Sequence, residues 1–366
     1  MGAPGPAVVC VPARDERERL PRLIRSLAAQ GGAEPDGARL RVLILANSCS
    51  DGTAQAVRAM RTAGETPSLD LRLAEVALTG PEAHVGTARR TALDMGAAWL
   101  EADACADGFL LTTDADARVS PDWVAANRAA LAGAEIVGGR LVIDPDAAPD
   151  PAVAGLHARI ERYWAAVRAL EDRIDPPPHD PAPRHGDHTG ASLALRADLY
   201  RAVGGLPPLP RGEDNALVAR VRAAGGRLRH CPAVRVLVSD RAAGRAEGGM
   251  AVEMVRRGET VRTGAPYRLP TAAHWQRVIA RRAALRRSWH APGDRRAAWR
   301  ALGLTADDLA AVGPETCPND IAFVERADPR LDAAAGPAPE TDLDAALAAF
   351  ADILADPAPS RARLPA

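Results

Sequence analysis

Over roughly the first 240 residues, short unbroken apolar runs alternate with stretches in which apolar residues recur every three or four positions. Residues 7–11 form a β-rich apolar run ended by Pro12, 40–46 a second, 69–76 an alternating third and 109–113 a fourth. Runs of this length bounded by turn residues predict buried strands. Between them, residues 18–30 place Leu20, Leu23, Ile24 and Leu27 on one helical face, and 54–60 and 87–100 also predict helices. Further on, the pattern predicts helices over 122–131, 157–174, 198–203 and 215–224, and strands over 135–139, 192–195 and 234–238. Strands alternating with helices at this spacing predict an α/β fold built on a mostly parallel, doubly wound sheet.

Beyond about Arg241 the strand signals vanish and the chain reads as helical. From Asp328 onward it is rich in proline and alanine, with one amphipathic helix over 343–354. The expected organisation is therefore a sheet domain over 1–240, divided near residue 120, a helical extension over 241–327, and a tail over 328–366.

Composition narrows the chemistry. The formal net charge of −1 argues against a general nucleic-acid partner. All 46 basic residues other than histidine are arginine. Without lysine there is no Walker-type phosphate loop, no pyridoxal Schiff base and no lysine nucleophile. The 5 cysteines are widely spaced and lack any Cys-x-x-Cys pair, as expected of a reduced intracellular protein. The N-terminus shows no basic leader, and no apolar run approaches the ~20 residues of a membrane span. The expected location is the cytoplasm, with room for peripheral attachment to the inner face of a membrane.

Five polar elements stand where predicted strands or helices begin or end. Pro12-Ala13-Arg14-Asp15-Glu16 follows the first strand, and Asn47 to Thr53 follows the second. Gly86-Thr87-Ala88-Arg89-Arg90 opens a helix, where free N–H groups and an arginine suit a phosphate or a base carbonyl. Asp114-Ala115-Asp116 closes the fourth strand. Two carboxylates there reach toward the crevice outside the strand ends, where open α/β sheets bind ligands. Such a pair suits Mg²⁺ or Mn²⁺ shared with a diphosphate. Gly212-Glu213-Asp214 places an acidic pair at a helix start, in the position of a general base. Turns, caps and dipole effects use the same residue types, so each element also has a purely structural reading.

The order of these motifs resembles family 2 glycosyltransferases of the GT-A fold, of the non-processive soluble bacterial type, from the N-terminus to about Arg245. The matching text is Val11 to Glu16, Asn47 to Thr53, Ala88-Arg89-Arg90, Thr113 to Asp116, Gly190 to Arg196, Val203 to Pro207 and Gly212-Glu213-Asp214. The resemblance implies that Pro12, Ala13, Arg14, Glu16, Asn47, Asp51, Arg89, Asp114 and Ala115 line a nucleotide-sugar pocket. It implies that Asp116, with Asp114, ligates a divalent metal, Mn²⁺ or Mg²⁺. Asp214 would be the catalytic base with Glu213 beside it, and His188, Gly190 and Ala191 would face the acceptor. The implied reaction is inverting transfer of a sugar from a nucleotide-diphosphate donor to an acceptor hydroxyl.

Two departures from the family pattern matter. Many relatives carry aspartate where this chain has Asn47, which weakens the usual uridine contact, although a UDP-sugar stays the favoured donor. The Gln-x-x-Arg-Trp motif and membrane helices of processive synthases are absent, so a single addition is expected. A non-catalytic nucleotide-sugar-binding relative and a sugar-nucleotide nucleotidyltransferase are the alternatives. The second would need a glycine-rich N-terminal loop and a lysine. His185-Gly186-Asp187-His188 reads as part of an acceptor loop rather than a zinc site, because no partner ligands have matching spacing. The arginines of 274–300 could meet anionic lipid, but with only Trp275, Trp289 and Trp299 as aromatic anchors they read as a solvated helical face. The acceptor is open, and a homodimer is allowed.

Overall fold

The computed structural model describes residues 4–30, 34, 37–144, 150–238 and 250–356. The boundary expected at 240/241, residues 145–149 of the chain between the sheet and the long helix, and the last ten positions, 357–366, lie outside the described residues. Contacts divide the chain into two units: residues 1–148, 183–222 and 226–252, and residues 149–182, 223–225 and 253–366.

In the first unit the elements run β1 (Ala7–Ala13), α1 (Leu20–Ala28), β2 (Leu40–Asn47), α2 (Thr53–Thr62), β3 (Leu69–Val76), α3 (Val85–Ala102), β4 (Phe109–Thr112), β5 (Arg118–Val119), α4 (Trp123–Leu131) and β6 (Ile136–Ile143). After α5 (Pro151–Ile174), which belongs to the second unit, come β7 (Leu193–Arg196), α6 (Ala197–Ala202), α7 (Glu213–Ala223) and β8 (Leu228–Val238). The 8-stranded sheet has the order β3-β2-β1-β4-β7-β6-β8-β5. This is the α/β class the sequence predicts. The pairs β1–β2, β1–β4, β2–β3 and β6–β8 are parallel, while β7 runs antiparallel to both β4 and β6, and β5 antiparallel to β8.

The unbroken apolar character of β1 follows from its central place. Ala7, Val9 and Val11 enter one core with Leu20, Leu23, Ile24 and Leu27 of α1, while Val8 and Cys10 enter the other with Ala88, Ala92 and Leu93 of α3. A strand buried on both faces cannot alternate apolar with polar. Removing each large aliphatic side chain from water contributes about 1.5–3 kcal/mol. The strand also runs to Ala13, two residues beyond the expected end, with Pro12 beside Leu45.

The topology positions the site. From β1 the chain winds outward through β2 and β3, then α3 returns it across β1 to β4. Winding therefore reverses between β1 and β4, and the parallel register sets Cys10 beside Thr112, so β4 ends level with Cys10 and β1 runs on past it to Ala13. A crevice outside strand ends at such a reversal is where doubly wound sheets take ligands.

The second unit continues with α8 (Met250–Thr263), β9 (Arg268–Pro270), α9 (Ala272–His290), α10 (Arg295–Ala301), α11 (Ala306–Val312), α12 (Asp320–Ala335), β10 (Glu340–Asp342) and α13 (Leu343–Ala355). The expectation that strands vanish here is corrected by β9 and β10, which pair antiparallel over three residues each. Helix α5 begins at Pro151 rather than 157, with Asp150 accepting from the Ala152 amide at 2.8 Å as its N-cap. Its Leu156, Ile160, Tyr163, Val167 and Leu170 pack with Leu343, Ala346 and Phe350 of α13. Helix α12 passes straight through Asp328 and Pro329, where the sequence reading starts a tail.

Arg281, Arg282 and Arg286 of α9 are paired within this unit. Arg281 and Arg282 both pair with the buried Asp328, at 2.6 and 2.7 Å, and Arg286 pairs with Asp175 and Asp320. Trp299 is buried, and Trp275 donates to the Tyr163 hydroxyl at 2.7 Å.

Candidate active site

The loops after β1 and β2 are tied into one polar rim. The Arg17 amide donates to Asp51 Oδ2 at 2.9 Å, the Glu16 amide to Thr53 Oγ1 at 2.8 Å, and the Ser50 amide to Asp15 Oδ1 at 2.7 Å. Asp15 takes φ 50° at this turn. Asp51 Oδ1 accepts from the Thr53 amide and hydroxyl. Burial works to raise its pKa, but these hydrogen bonds hold it below the usual carboxylate range. Asp51 thus shapes the rim. Asn47 is buried, and its Oδ1 accepts from the Ser48 hydroxyl at 3.1 Å and the Leu78 amide at 3.4 Å. Arg14 is exposed, whereas Ala13 and Glu16 are buried.

Arg89 is the centre of the arrangement. It sits in the first turns of α3, and its side chain is only 4% exposed. Its Nε donates to Glu213 Oε1 at 3.2 Å and its Nη2 to Asp114 Oδ1 at 2.7 Å. Its Nη1 donates to Thr112 Oγ1 and to the Gly190 carbonyl, both at 2.8 Å. Burial alone would disfavour the charge; Asp114 and then Glu213 outweigh it, so the guanidinium is held more firmly charged than in water. The resemblance casts Arg89 as pocket lining; in the structure its guanidinium binds protein groups from three segments.

Glu213 and Asp214 open α7. Burial pushes the Glu213 carboxyl up, Arg89 opposes that, and Asp214 adds to it. Asp214 is half-buried; its Oδ2 accepts from the Gly190 amide at 2.9 Å and its Oδ1 from the Asn215 amide at 2.7 Å. Gly190 therefore meets Asp214 through its N–H and Arg89 through its carbonyl. A Cβ at this position would lie 2.5 Å from the Arg89 guanidinium carbon, so only glycine fits. Ala191 is buried next to it.

At the end of β4 the Asp114 side chain is 41% exposed, Asp116 is half-buried and Ala115 is buried between them. Only Oδ1 of Asp114 is engaged by another side chain among the described residues. Two partly open carboxylates suit an ion that takes one or two protein oxygens and completes its shell with phosphate and water. No group of three or more His, Cys, Asp or Glu side chains that could hold an ion occurs among the described residues. The donor set fits a shared Mg²⁺ or Mn²⁺ and does not fit a closed cage.

On the far side of Gly190, His188 Nδ1 lies 3.0 Å from His230 Nε2, and the His185 ring stands edge-on to His230 at 5.7 Å. Burial, then His230 and Arg222, push the His188 imidazole down to about 4, so it is neutral near pH 7. His230, at the amino-terminal part of β8, is a neighbour here that sequence reading missed. A histidine in a strand carries no local signal of its partner. The five cysteines are free thiols.

The structure thus brings Arg89, Asp114, Gly190, Glu213 and Asp214 together and sets His188 near Asp214. Asn47 and Asp51 belong to the rim formed with the β1 loop.

No protein-family model matches this chain, and no curated protein matches it by sequence. Solved structures do. An S. aureus TarS fragment, residues 1–349, in complex with UDP-GlcNAc is 13% identical with a TM-score of 0.46, covering 90% of this chain and 92% of that one. The mannosyltransferase PcManGT of Pyrobaculum calidifontis, in complex with GDP-Man and Mn²⁺, is 20% identical with a TM-score of 0.44, covering 90% and 88%. M. tuberculosis glucosyl-3-phosphoglycerate synthase is 16% identical with a TM-score of 0.38, covering 72% and 82%. Among the described residues no helix is long and apolar enough to cross a membrane.

Proposed function

We propose that this chain is a glycosyltransferase that moves a sugar from a nucleotide-diphosphate sugar to an acceptor hydroxyl by single, inverting addition. The observation that carries the reading is the convergence of two acidic elements at the β1/β4 reversal. Asp114 and Glu213, from segments about a hundred residues apart, are joined by the buried guanidinium of Arg89. A fold needing only a capped helix would not bury a charge to link them, because burying it is costly without such partners.

In this reading the loops carrying Ala13, Arg14, Glu16, Asn47 and Asp51 frame the base and ribose, with a UDP-sugar the favoured donor. Asp114 and Asp116 would hold Mn²⁺ or Mg²⁺. The ion supplies positive charge to stabilise the diphosphate as it leaves.

Asp214 is the base. Its carboxylate is half-open, and the Gly190 and Asn215 amides fix its orientation while leaving lone pairs toward the acceptor side. The acceptor hydroxyl gives its proton to Asp214 as its oxygen bonds to the anomeric carbon. The bond to the diphosphate oxygen breaks on the opposite face, which inverts the configuration. Neutral His188, beside His230, offers hydrogen bonds to an acceptor without adding charge.

Calorimetric titration of UDP, GDP, CDP and dTDP, with and without Mn²⁺, tests the reading. Binding of one nucleotide that requires Mn²⁺ is expected. Failure of all four with metal present would overturn it.

A further inference from the structure

We propose that Arg89 is a positioning residue that sets the donor-side carboxylate and the base in one geometry and touches neither substrate. The inference rests on the transferase reading above. Three observations carry it. Arg89 is almost wholly buried, so an incoming sugar nucleotide does not reach its head group. Its four hydrogen bonds run to Thr112 and Asp114 at the end of β4, to Gly190 in the loop before β7 and to Glu213 at the start of α7. The Gly190 peptide then passes the constraint on, since its carbonyl is held by Arg89 while its N–H orients Asp214.

A planar guanidinium can satisfy these directions at once, and an ammonium cannot. Arg89→Lys keeps the charge that neutralises Asp114 and Glu213 yet cannot span all four partners. Gly190 and the base should then drift while the charge balance survives. A displacement of the order of 1 Å at reacting groups costs about 10²-fold in rate.

Two arms test this. In hydrogen–deuterium exchange of the metal-free protein, the segment 186–193 of Arg89→Lys should exchange about tenfold faster than in the wild type, with β1 and β2 unchanged. In steady-state release of nucleoside diphosphate, kcat should fall about 10²-fold while donor KM moves less than about threefold. Thr112→Val, which removes one anchor and leaves both carboxylates, should show the same split in smaller measure and stands in if Arg89→Lys does not fold. Unchanged exchange at 186–193 in a folded variant overturns the inference, as does a kcat loss matched by the loss of folded protein. Wild-type protein that neither binds nor turns over a nucleotide sugar would defeat the transferase reading instead, and the exchange arm would still judge the clamp.

Discussion

Asp214→Asn separates a base from a structural carboxylate, because the two roles predict losses of different size. Both oxygens of Asp214 face N–H donors, from Gly190 at 2.9 Å and from Asn215 at 2.7 Å. An asparagine must turn its NH₂ toward one of them, which removes one hydrogen bond to a charged acceptor. Such a bond contributes about 1.5–3 kcal/mol when buried. The half-open side chain lets water replace it, so the expected cost is about 1 kcal/mol, or about 2–4 °C in melting temperature for a unit of this size. Loss of the base costs far more, about 10²–10⁴-fold in transfer, or about 3–5 kcal/mol of barrier. The assay is release of nucleoside diphosphate from whichever nucleotide sugar calorimetry shows to bind, with water as acceptor, beside a thermal melt and a donor titration on the same sample. Near-normal release at unchanged donor affinity would refute the role of base. Loss of donor affinity would refute it too, by moving Asp214 to the donor side.

Asp116→Ala should abolish Mn²⁺-dependent nucleotide binding in calorimetry, and unchanged binding would remove Asp116 from the metal site. The His188 imidazole, pushed down to about 4 from 6.5, binds no proton in the folded chain over a range where the unfolded chain does. Stability should therefore fall as pH drops from 6.5 to about 4, by about 3 kcal/mol at most. His188→Gln should flatten that slope in urea titrations compared between about pH 7 and about pH 5. Phe350 of α13 is 1% exposed and stands edge-on to Tyr163 at 5.4 Å, so Phe350→Ala should destabilise the helical unit by about 3–5 kcal/mol in denaturant unfolding. A change below about 1 kcal/mol would show that α13 is not part of that core.

How far the fold was legible depended on what each element buries. Strands β1, β2 and β4 were readable because apolar side chains on both faces leave an unbroken run. Helix α1 was readable because Leu20, Leu23, Ile24 and Leu27 repeat at its period. Strand direction leaves no such trace, so the antiparallel insertion of β7 between β4 and β6 was invisible. Strands β5, β9 and β10, of two or three residues, are too short for any period to register. The early start of α5 did carry a signal in Asp150-Pro151, an N-cap followed by proline in the first helical position. The proline and alanine richness from Asp328 onward pointed to a tail, yet Pro329 lies inside α12, where α9 offers arginines to the neighbouring Asp328.

The candidate site divides along a similar line. Its acidic members were legible because a carboxylate at a strand end or helix start is a local fact. The role of Arg89 was not, because its side-chain partners lie between 23 and 124 positions away along the chain and none is implied by its own helix. The distinction has a physical consequence. A guanidinium taken out of water needs Asp114 and Glu213 to remain charged in place, so these carboxylates serve stability before they serve any ligand. Their loss would leave a buried cation with too few partners. Replacement of Glu213, the more deeply buried of the two, should therefore lower stability and rate together, by removing both a partner of the buried guanidinium and the neighbour of the base.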